Sequence, residues 1–162
     1  MSTRPPSDAA VALRSLPRRF GALFSGLGED ESPDALAVRP VADGTTGLGH
    51  LVAAIRAVTW GAHALDRTLI SDDPELEPLA LATAGSPAPG GTVAERLAEL
   101  GWEAEALADR VDRASADEWG RRAQVTGAGT VSAADVLWQV VDAAIASLKS
   151  AERTLTEARQ AR

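Results

Sequence analysis

The side chains best suited to acid–base or metal chemistry at neutral pH in this 162-residue sequence are its two histidines, since it has no cysteine and no tyrosine. The lack of cysteine excludes disulfides, thiolate zinc sites and cysteine nucleophiles. A histidine can bind a metal through one ring nitrogen or act as a general base. His50 and His63 share one predicted helix, but they lie about 140° apart around it, so we do not expect them to bind one metal together.

His50 lies beside the main apolar stripe of that helix, on a line of small residues: Ala54, Ala57, Gly61, Ala64 and Thr68. Small residues let a neighbouring helix approach closely, so His50 is expected at a seam between two helices. His63 shares a line with Arg56, Trp60 and Arg67 and is expected to face solvent. A hydrogen-bonded histidine without a chemical role remains an open interpretation of His50, because a metal site needs at least two more N or O donors.

Four helices are expected to position these residues. In four stretches, apolar residues recur at alternating spacings of three and four, which places a continuous apolar stripe on one side of each helix. Such helices bury their stripes by closing around a shared core, so the predicted fold is an all-α four-helix bundle. The stripes are Leu13, Leu16, Phe20, Leu23 and Leu27; Leu48, Leu51, Ile55, Val58, Ala62, Leu65 and Leu69; Val93, Leu97, Leu100, Ala104, Leu107 and Val111; and Ala134, Leu137, Val141, Ala144, Leu148, Ala151 and Leu155.

Capping residues and helix breakers predict where these helices begin and end. Ser7-Asp8 is expected to cap the first helix, Pro17 to kink or restart it, and Gly26 and Gly28 to end it. Thr45-Thr46 opens the second helix, a capping box over 92–95 opens the third, and 132–135 caps the last. A short turn is expected over 33–36. The connection over 71–91 is long enough to cross a bundle or to carry function, and 117–130 is expected to be a connector with a turn at Gly127-Ala128-Gly129.

Length and charge narrow the class of protein. The chain is expected to form a single domain over 1–162, with a loose tail over 1–6. The formal net charge is -7, and no basic patch is present, so nucleic acid and anionic membranes are not expected partners. No apolar run approaches the roughly 20 residues that span a bilayer, and the polar, proline-rich N-terminus lacks a signal-peptide core. The expected location is the cytoplasm.

Several motifs can be compared with those of known families. They are Arg39-Pro40, the Gly44-Thr45-Thr46 turn, Gly49-His50-Leu51 at the start of a long helix, Glu118-Trp119 before a glycine-containing turn, and a last helix with Val136 to Asp142 that ends in Glu152 to Leu155. Together they resemble the DinB-like superfamily, which includes the metal-binding domain of mycothiol-dependent maleylpyruvate isomerase. The resemblance covers nearly the whole chain. It implies a DinB-like four-helix bundle with a long connection between the second and third long helices.

The resemblance also implies three histidines around a divalent metal, one opening the second helix and two lying four residues apart on the last. His50 matches the first of them. Alignment backwards from Glu152-Arg153 places Asp142 and Ala146 at the other two positions. Asp142 can bind a metal through oxygen and Ala146 cannot, so the implied metal ligands are His50 and Asp142, converging at the mouth of the core. With this reduced set, zinc or nickel is expected to bind weakly or not at all.

Two functions from different classes follow from the resemblance. The first is a degenerate DinB-like protein that has lost metal catalysis and acts as a binding or interaction module. The alternative is a metal-dependent transferase or isomerase that activates a low-molecular-weight thiol of the mycothiol type, with the 71–91 connection covering its site. A homodimer is compatible with the resemblance, and the four tryptophans of the sequence suit an interface or a core.

Overall fold

A computed structural model describes residues 4–26, 31–80 and 89–161. Its helices are α1 (Pro6–Ser25), α2 (Pro33–Ala37), α3 (Gly47–Ile70), α4 (Val93–Arg113) and α5 (Ala133–Gln160). Three short strands, β1 (Glu75–Leu76), β2 (Arg122–Val125) and β3 (Gly129–Ser132), and one 3-10 turn (Glu118–Gly120) complete the described elements. The four long helices form the bundle that the apolar periodicity predicts. Leu27 and Gly28, and residues 81–88 of the long connection, lie outside the described residues.

The capping predictions are confirmed at three of the four long helices. Thr46 accepts a hydrogen bond from the Gly49 amide at the start of α3, and reciprocal capping boxes open α4 and α5. The prediction for α1 is wrong. That helix begins at Pro6, its N-cap residue is Pro5, and no side chain caps it. Proline suits the first helical turn because its fixed φ is already helical and its missing N–H would have no partner there.

The long helices do not simply alternate in direction. At one end of the bundle Gly47 packs against Leu155 and Phe24, which brings the start of α3 to the ends of α1 and α5. The amide of Val93 donates to Asp34 beside this end, so α4 also begins here. Hence α3 and α4 run in the same direction, opposite to α1 and α5. The long connection between α3 and α4 therefore returns the chain along the bundle, one of the two roles that its length predicts.

Helices α3 and α5 approach each other closely. The line of small residues on α3 is buried from Ala54 to Thr68. At Gly61 a methyl group would stand only 2.5 Å from Cγ2 of Val140, and at Gly47 it would stand 2.6 Å from Cδ2 of Leu155. These two pairs set the register of the antiparallel helices. They also show why the sequence carries glycine and alanine along this seam.

A small sheet lies where the sequence analysis predicts a connector. β1 pairs with β2 in parallel, and β2 pairs with β3 in an antiparallel hairpin. Gly127 and Gly129 have φ values of 79° and 85°, which non-glycine residues rarely adopt, so the turn prediction holds at this hairpin. The strands bury Leu76, Ala123 and Val125 in a second apolar cluster that extends to Val136 of α5. Among the described residues, no helix combines the length and the hydropathy that crossing a bilayer requires.

Candidate functional site

His50 lies in the first turns of α3, at the seam with α5 that the sequence predicts for it. Its ring is half-buried, and Nε2 lies 3.0 Å from the hydroxyl oxygen of Thr154 on α5. Thr154 is 6% exposed. The imidazole therefore contacts a buried hydroxyl group of the facing helix.

The hydrogen bonds continue from Thr154 towards the loop before α3. The hydroxyl oxygen of Thr45 lies 3.5 Å from that of Thr154. Thr45 donates to Oδ1 of Asp43 twice, through its amide at 2.9 Å and its hydroxyl at 2.6 Å. Because the Thr45 proton points to Asp43, Thr154 would be the donor towards Thr45, and His50 would then donate from Nε2. We call these four residues, Asp43, Thr45, His50 and Thr154, the His50 cluster.

Burial controls the charge of the His50 cluster. Desolvation lowers the pKa of His50 below its ordinary value, and it outweighs the nearby Asp43 carboxylate, which favours the charged ring; Arg153 lowers the pKa further. The two hydrogen bonds from Thr45 lower the pKa of Asp43. At neutral pH the cluster therefore holds a neutral imidazole and an ionised carboxylate that is linked to it through two hydroxyl groups.

Asp142 lies at a different place on the bundle. Its side chain is 55% exposed and forms a bidentate ion pair with Arg4, at 2.9 Å and 2.7 Å. The hydrogen bonds from Arg4 lower the pKa of the Asp142 carboxyl. Twelve positions of α5 separate Asp142 from Thr154, which corresponds to about 18 Å along the helix. The structure does not bring His50 and Asp142 together.

The separation follows from the helical register. Gly47 faces Leu155 and Gly61 faces Val140, so the first turn of α3 meets the last turns of α5. Ala146, the second position from the alignment, is exposed like Asp142. Both positions belong to the outer surface of α5, away from its contact with α3. The expectation that His50 and Asp142 converge at the mouth of the core is therefore corrected.

Comparison with known proteins supports the fold. No model of a protein family and no curated protein sequence matches the chain. Among solved structures, the chain is similar to YfiT from Bacillus subtilis, which is described as a probable metal-dependent hydrolase with an unusual four-helix bundle topology. The TM-score is 0.74, and the match covers 94% of this chain and 89% of that chain. The chain therefore has a four-helix bundle fold like that of YfiT. At 12% sequence identity, the likeness to YfiT concerns the fold alone.

The residues around His50 do not fit the divalent metal that the sequence resemblance implies. Zinc and nickel sites in proteins use three or more imidazole, thiolate or carboxylate ligands. The His50 cluster offers one imidazole, one carboxylate already engaged by Thr45, and neutral hydroxyl groups, which are weak ligands. In the described parts of the chain, no group of three His, Cys, Asp or Glu side chains is arranged to hold a metal ion.

The start of the long connection lies beside the C-terminal half of α3. Trp60 donates its indole N–H to the carbonyl of Glu77, and Leu76 of β1 packs in one apolar cluster with Ala64 of α3. His50 and Ile70 are near opposite ends of that helix, about 30 Å apart. Residues 75–77 therefore contact α3 away from His50, and residues 81–88 lie outside the described residues. His63 is exposed, as its helical position predicts.

Sequence reasoning missed Thr154, Thr45 and Asp43. One signal was available for Thr154. It belongs to a line of small residues on α5 that matches the small line on α3, with Ala144, Ser147, Ala151 and Ala158, and all of these are buried. Two matching lines of small residues predict that the helices meet along them. A polar residue within such a line is then a candidate partner for a histidine within the other.

Proposed function

We propose that this protein is a degenerate DinB-like bundle that acts as a binding or interaction module and needs no metal. One observation carries the proposal: among the described residues no group of three His, Cys, Asp or Glu side chains surrounds His50 or any other position, and Nε2 of His50 lies 3.0 Å from the Thr154 hydroxyl. A metal at Nε2 would have to displace this hydrogen bond, and a metal at either ring nitrogen would find in the cluster only the Asp43 carboxylate, which Thr45 already engages, and neutral hydroxyl groups. Burial lowers the pKa of His50, so a bound ion is not needed to explain why the ring is neutral.

The same geometry argues against catalysis without a metal. A histidine beside a threonine could in principle act as a base that activates the hydroxyl group for attack. Such an attack requires a reacting atom about 3 Å from that oxygen. Thr154 is 6% exposed, and its hydroxyl group already contacts His50 and Thr45. A substrate therefore has no open approach, and the His50 cluster is best explained as a structural link between α3, α5 and the preceding loop.

Metal-dependent transfer to or from a small thiol is the second candidate. YfiT, which shares the fold, is described as a probable metal-dependent hydrolase, and this supports the metal dependence of the candidate. In this chain it would rely on His50 together with Asp43, since Asp142 lies at another place and pairs with Arg4. A cytoplasmic location and a homodimer remain predictions under either function. The exposed Trp102, at 81%, suits an interface, and light scattering measures the assembly directly.

Metal binding separates the two functions. Protein purified without chelator is analysed for bound zinc, nickel and iron, then titrated with zinc and nickel by calorimetry. His50→Ala removes the imidazole of the cluster, and His63→Ala removes an exposed imidazole from the same helix as the matched control. We expect no stoichiometric metal in the wild-type protein. Saturating zinc should raise the melting temperature no more in the wild type than in either variant, because a ligand that binds only the folded state stabilises it.

Stoichiometric metal binding that depends on His50 would contradict the proposal. If the wild type and His63→Ala each bind one equivalent of metal while His50→Ala binds none, the metal-independent proposal is wrong. Thiol-transfer activity that is lost in His50→Ala and kept in His63→Ala would then support the second candidate. Weak binding that falls only partly in each variant would reflect separate, non-specific contacts of the two imidazoles and would leave the proposal standing.

A further inference from the structure

Arg4 makes a second polar site at the other end of α5. Its guanidinium carbon lies 3.8 Å from the centroid of the Trp138 ring. Its two terminal nitrogens donate to the two carboxylate oxygens of Asp142, at 2.9 Å and 2.7 Å. The indole N–H of Trp138 donates to the carbonyl oxygen of Arg4 at 3.1 Å. Two side chains of one helix thus contact the side chain and the backbone of a single arginine.

This arrangement suits arginine better than any other residue. A planar guanidinium can stack on an aromatic ring and present two parallel N–H groups to a carboxylate at the same time. A lysine ammonium has no plane to stack and no fork to match. Trp138 and Asp142 are four positions apart, so they lie on the same side of α5 and act on one ligand. The indole bond to a main-chain carbonyl adds recognition of a peptide backbone.

The segment that carries Arg4 is held extended. Pro5 follows directly, with φ of -68° and ψ of 141°, and Pro6 begins α1. A residue before proline is restricted to extended conformations, so little conformational freedom remains for Arg4 to lose when it contacts α5. The bound geometry is therefore favoured by the sequence on both sides of the contact.

We propose that Trp138 and Asp142 form a receptor for an arginine residue in an extended peptide segment, and that Arg4 of the same chain is its resident ligand. The site is distinct from the His50 cluster and does not depend on the function proposed for it. Its role in the folded chain is to hold the N-terminal segment on α5. When Arg4 is removed, an arginine supplied from outside can take its place.

Chemical rescue tests this proposal in the full-length chain. Arg4→Ala removes the guanidinium from the receptor, and the probe is N-acetyl-arginine N-methylamide, which carries the guanidinium and both flanking amides. The Trp138 indole N–H resonance, assigned through Trp138→Phe, reports occupancy. We expect the probe to shift this resonance saturably in Arg4→Ala, with an affinity on the order of millimolar for one ion pair and one ring contact. It should leave the wild type unchanged, because Arg4 occupies the site.

Three controls make the result specific. The lysine analogue of the probe should have a much smaller effect in Arg4→Ala. The double variant Arg4→Ala/Asp142→Asn should not respond to the arginine probe. Arg18→Ala, which removes an exposed arginine from α1, should behave as the wild type.

Thermal unfolding gives an independent readout. Arg4→Ala should melt about 2–4 °C below the wild type, a shift typical of a modest surface contact in a domain of this size, and the probe should recover part of that loss. No saturable shift in Arg4→Ala would overturn the proposal. So would an equal response of Arg4→Ala and the double variant, since Asp142 would then play no part in binding.

Discussion

The separation of His50 from Asp142 depends on how closely α3 and α5 pack, and Gly61 tests that packing directly. Gly61→Ala adds one methyl group at the seam. That methyl would stand 2.5 Å from Cγ2, 2.9 Å from Cγ1 and 3.2 Å from Cβ of Val140. Valine is branched at Cβ and has one strongly preferred rotamer in a helix, so it cannot turn away. The helices must move apart, or Val140 must adopt a strained conformation.

The expected magnitude combines two opposing effects. Replacing glycine by alanine inside a helix stabilises it by about 0.8–1 kcal/mol. Forcing an extra methyl group into a packed core costs about 1–3 kcal/mol. Gly61→Ala should therefore lower the free energy of unfolding by about 0–2 kcal/mol, the difference between these terms. Gly101→Ala is the matched control on α4, because a methyl group there meets nothing within 4 Å. It should raise the free energy of unfolding by about 0.8–1 kcal/mol.

Urea unfolding of a double-mutant cycle isolates the contact. Val140→Ala removes the two methyl groups that oppose Gly61, and by itself it should cost about 1–3 kcal/mol, as other deletions from a buried site do. In that background Gly61→Ala should become stabilising, so the coupling energy should be about 1–3 kcal/mol. If Gly61→Ala stabilises the wild type as much as Gly101→Ala does, the close approach is wrong. The register that places His50 against Thr154, and not beside Asp142, would lose its support.

Two further predictions concern the His50 cluster. Because burial lowers the pKa of His50 in the folded state, the unfolded chain binds the proton first as the pH falls. The stability that His50 contributes is therefore complete above its unfolded pKa of about 6.5 and is lost as the pH falls through the folded-state pKa. When the free energy of unfolding is measured in urea from pH 7.5 downwards, it should fall less in His50→Gln than in the wild type, whereas His63→Gln should follow the wild type. An equal pH dependence in all three proteins would contradict the assignment of this effect to His50. Thr154→Val keeps the side-chain shape but leaves the imidazole nitrogen without its partner, so it should lower the free energy of unfolding by about 1–3 kcal/mol. Thr156→Val, at an exposed position of the same helix, should lower it much less.

The long helices could be predicted from the sequence because their signals are local. The apolar stripe from Leu48 to Leu69 matches α3 over its whole length, and the two capping boxes lie where Thr92 and Ser132 predict them. Each of these signals depends on residues within one or two turns. Pro17 is the informative exception, since α1 continues through it. Tertiary packing of the flanking buried residues Leu13, Leu16 and Phe20 compensates there for the hydrogen bond that proline cannot donate.

The small sheet could not be predicted in the same way. β1 has two residues, and its partner β2 lies almost fifty positions further along the chain. A strand so short has no periodicity of its own, and its pairing depends on where the bundle places its two connections. Only the hairpin turn carried a local signal, because Gly127 and Gly129 permit the positive φ values that it needs.

The prediction that Asp142 lies beside His50 was wrong for a related reason. Asp142 was placed beside His50 by an alignment along the chain, and an alignment of loose motifs carries no information on which side of a helix faces its neighbour. The small residues carry information on the helical face, since the buried small line on α3 is matched by a buried line of small residues on α5. That line contains Thr154 and excludes Asp142.

The same seam explains why a three-ligand site is difficult to form near His50. Two imidazoles on α5 would need space between the helices, whereas a single methyl group at Gly47 would already lie 2.6 Å from Leu155. Thr154 fills the space opposite His50 with a hydroxyl group and is almost fully buried. The hydrogen bond from ring to hydroxyl satisfies both polar groups at this helix spacing, so nothing in the packing requires a metal. A metal site at His50 would therefore need new ligands, and imidazoles on the side of α5 that faces α3 would also need the two helices to move apart.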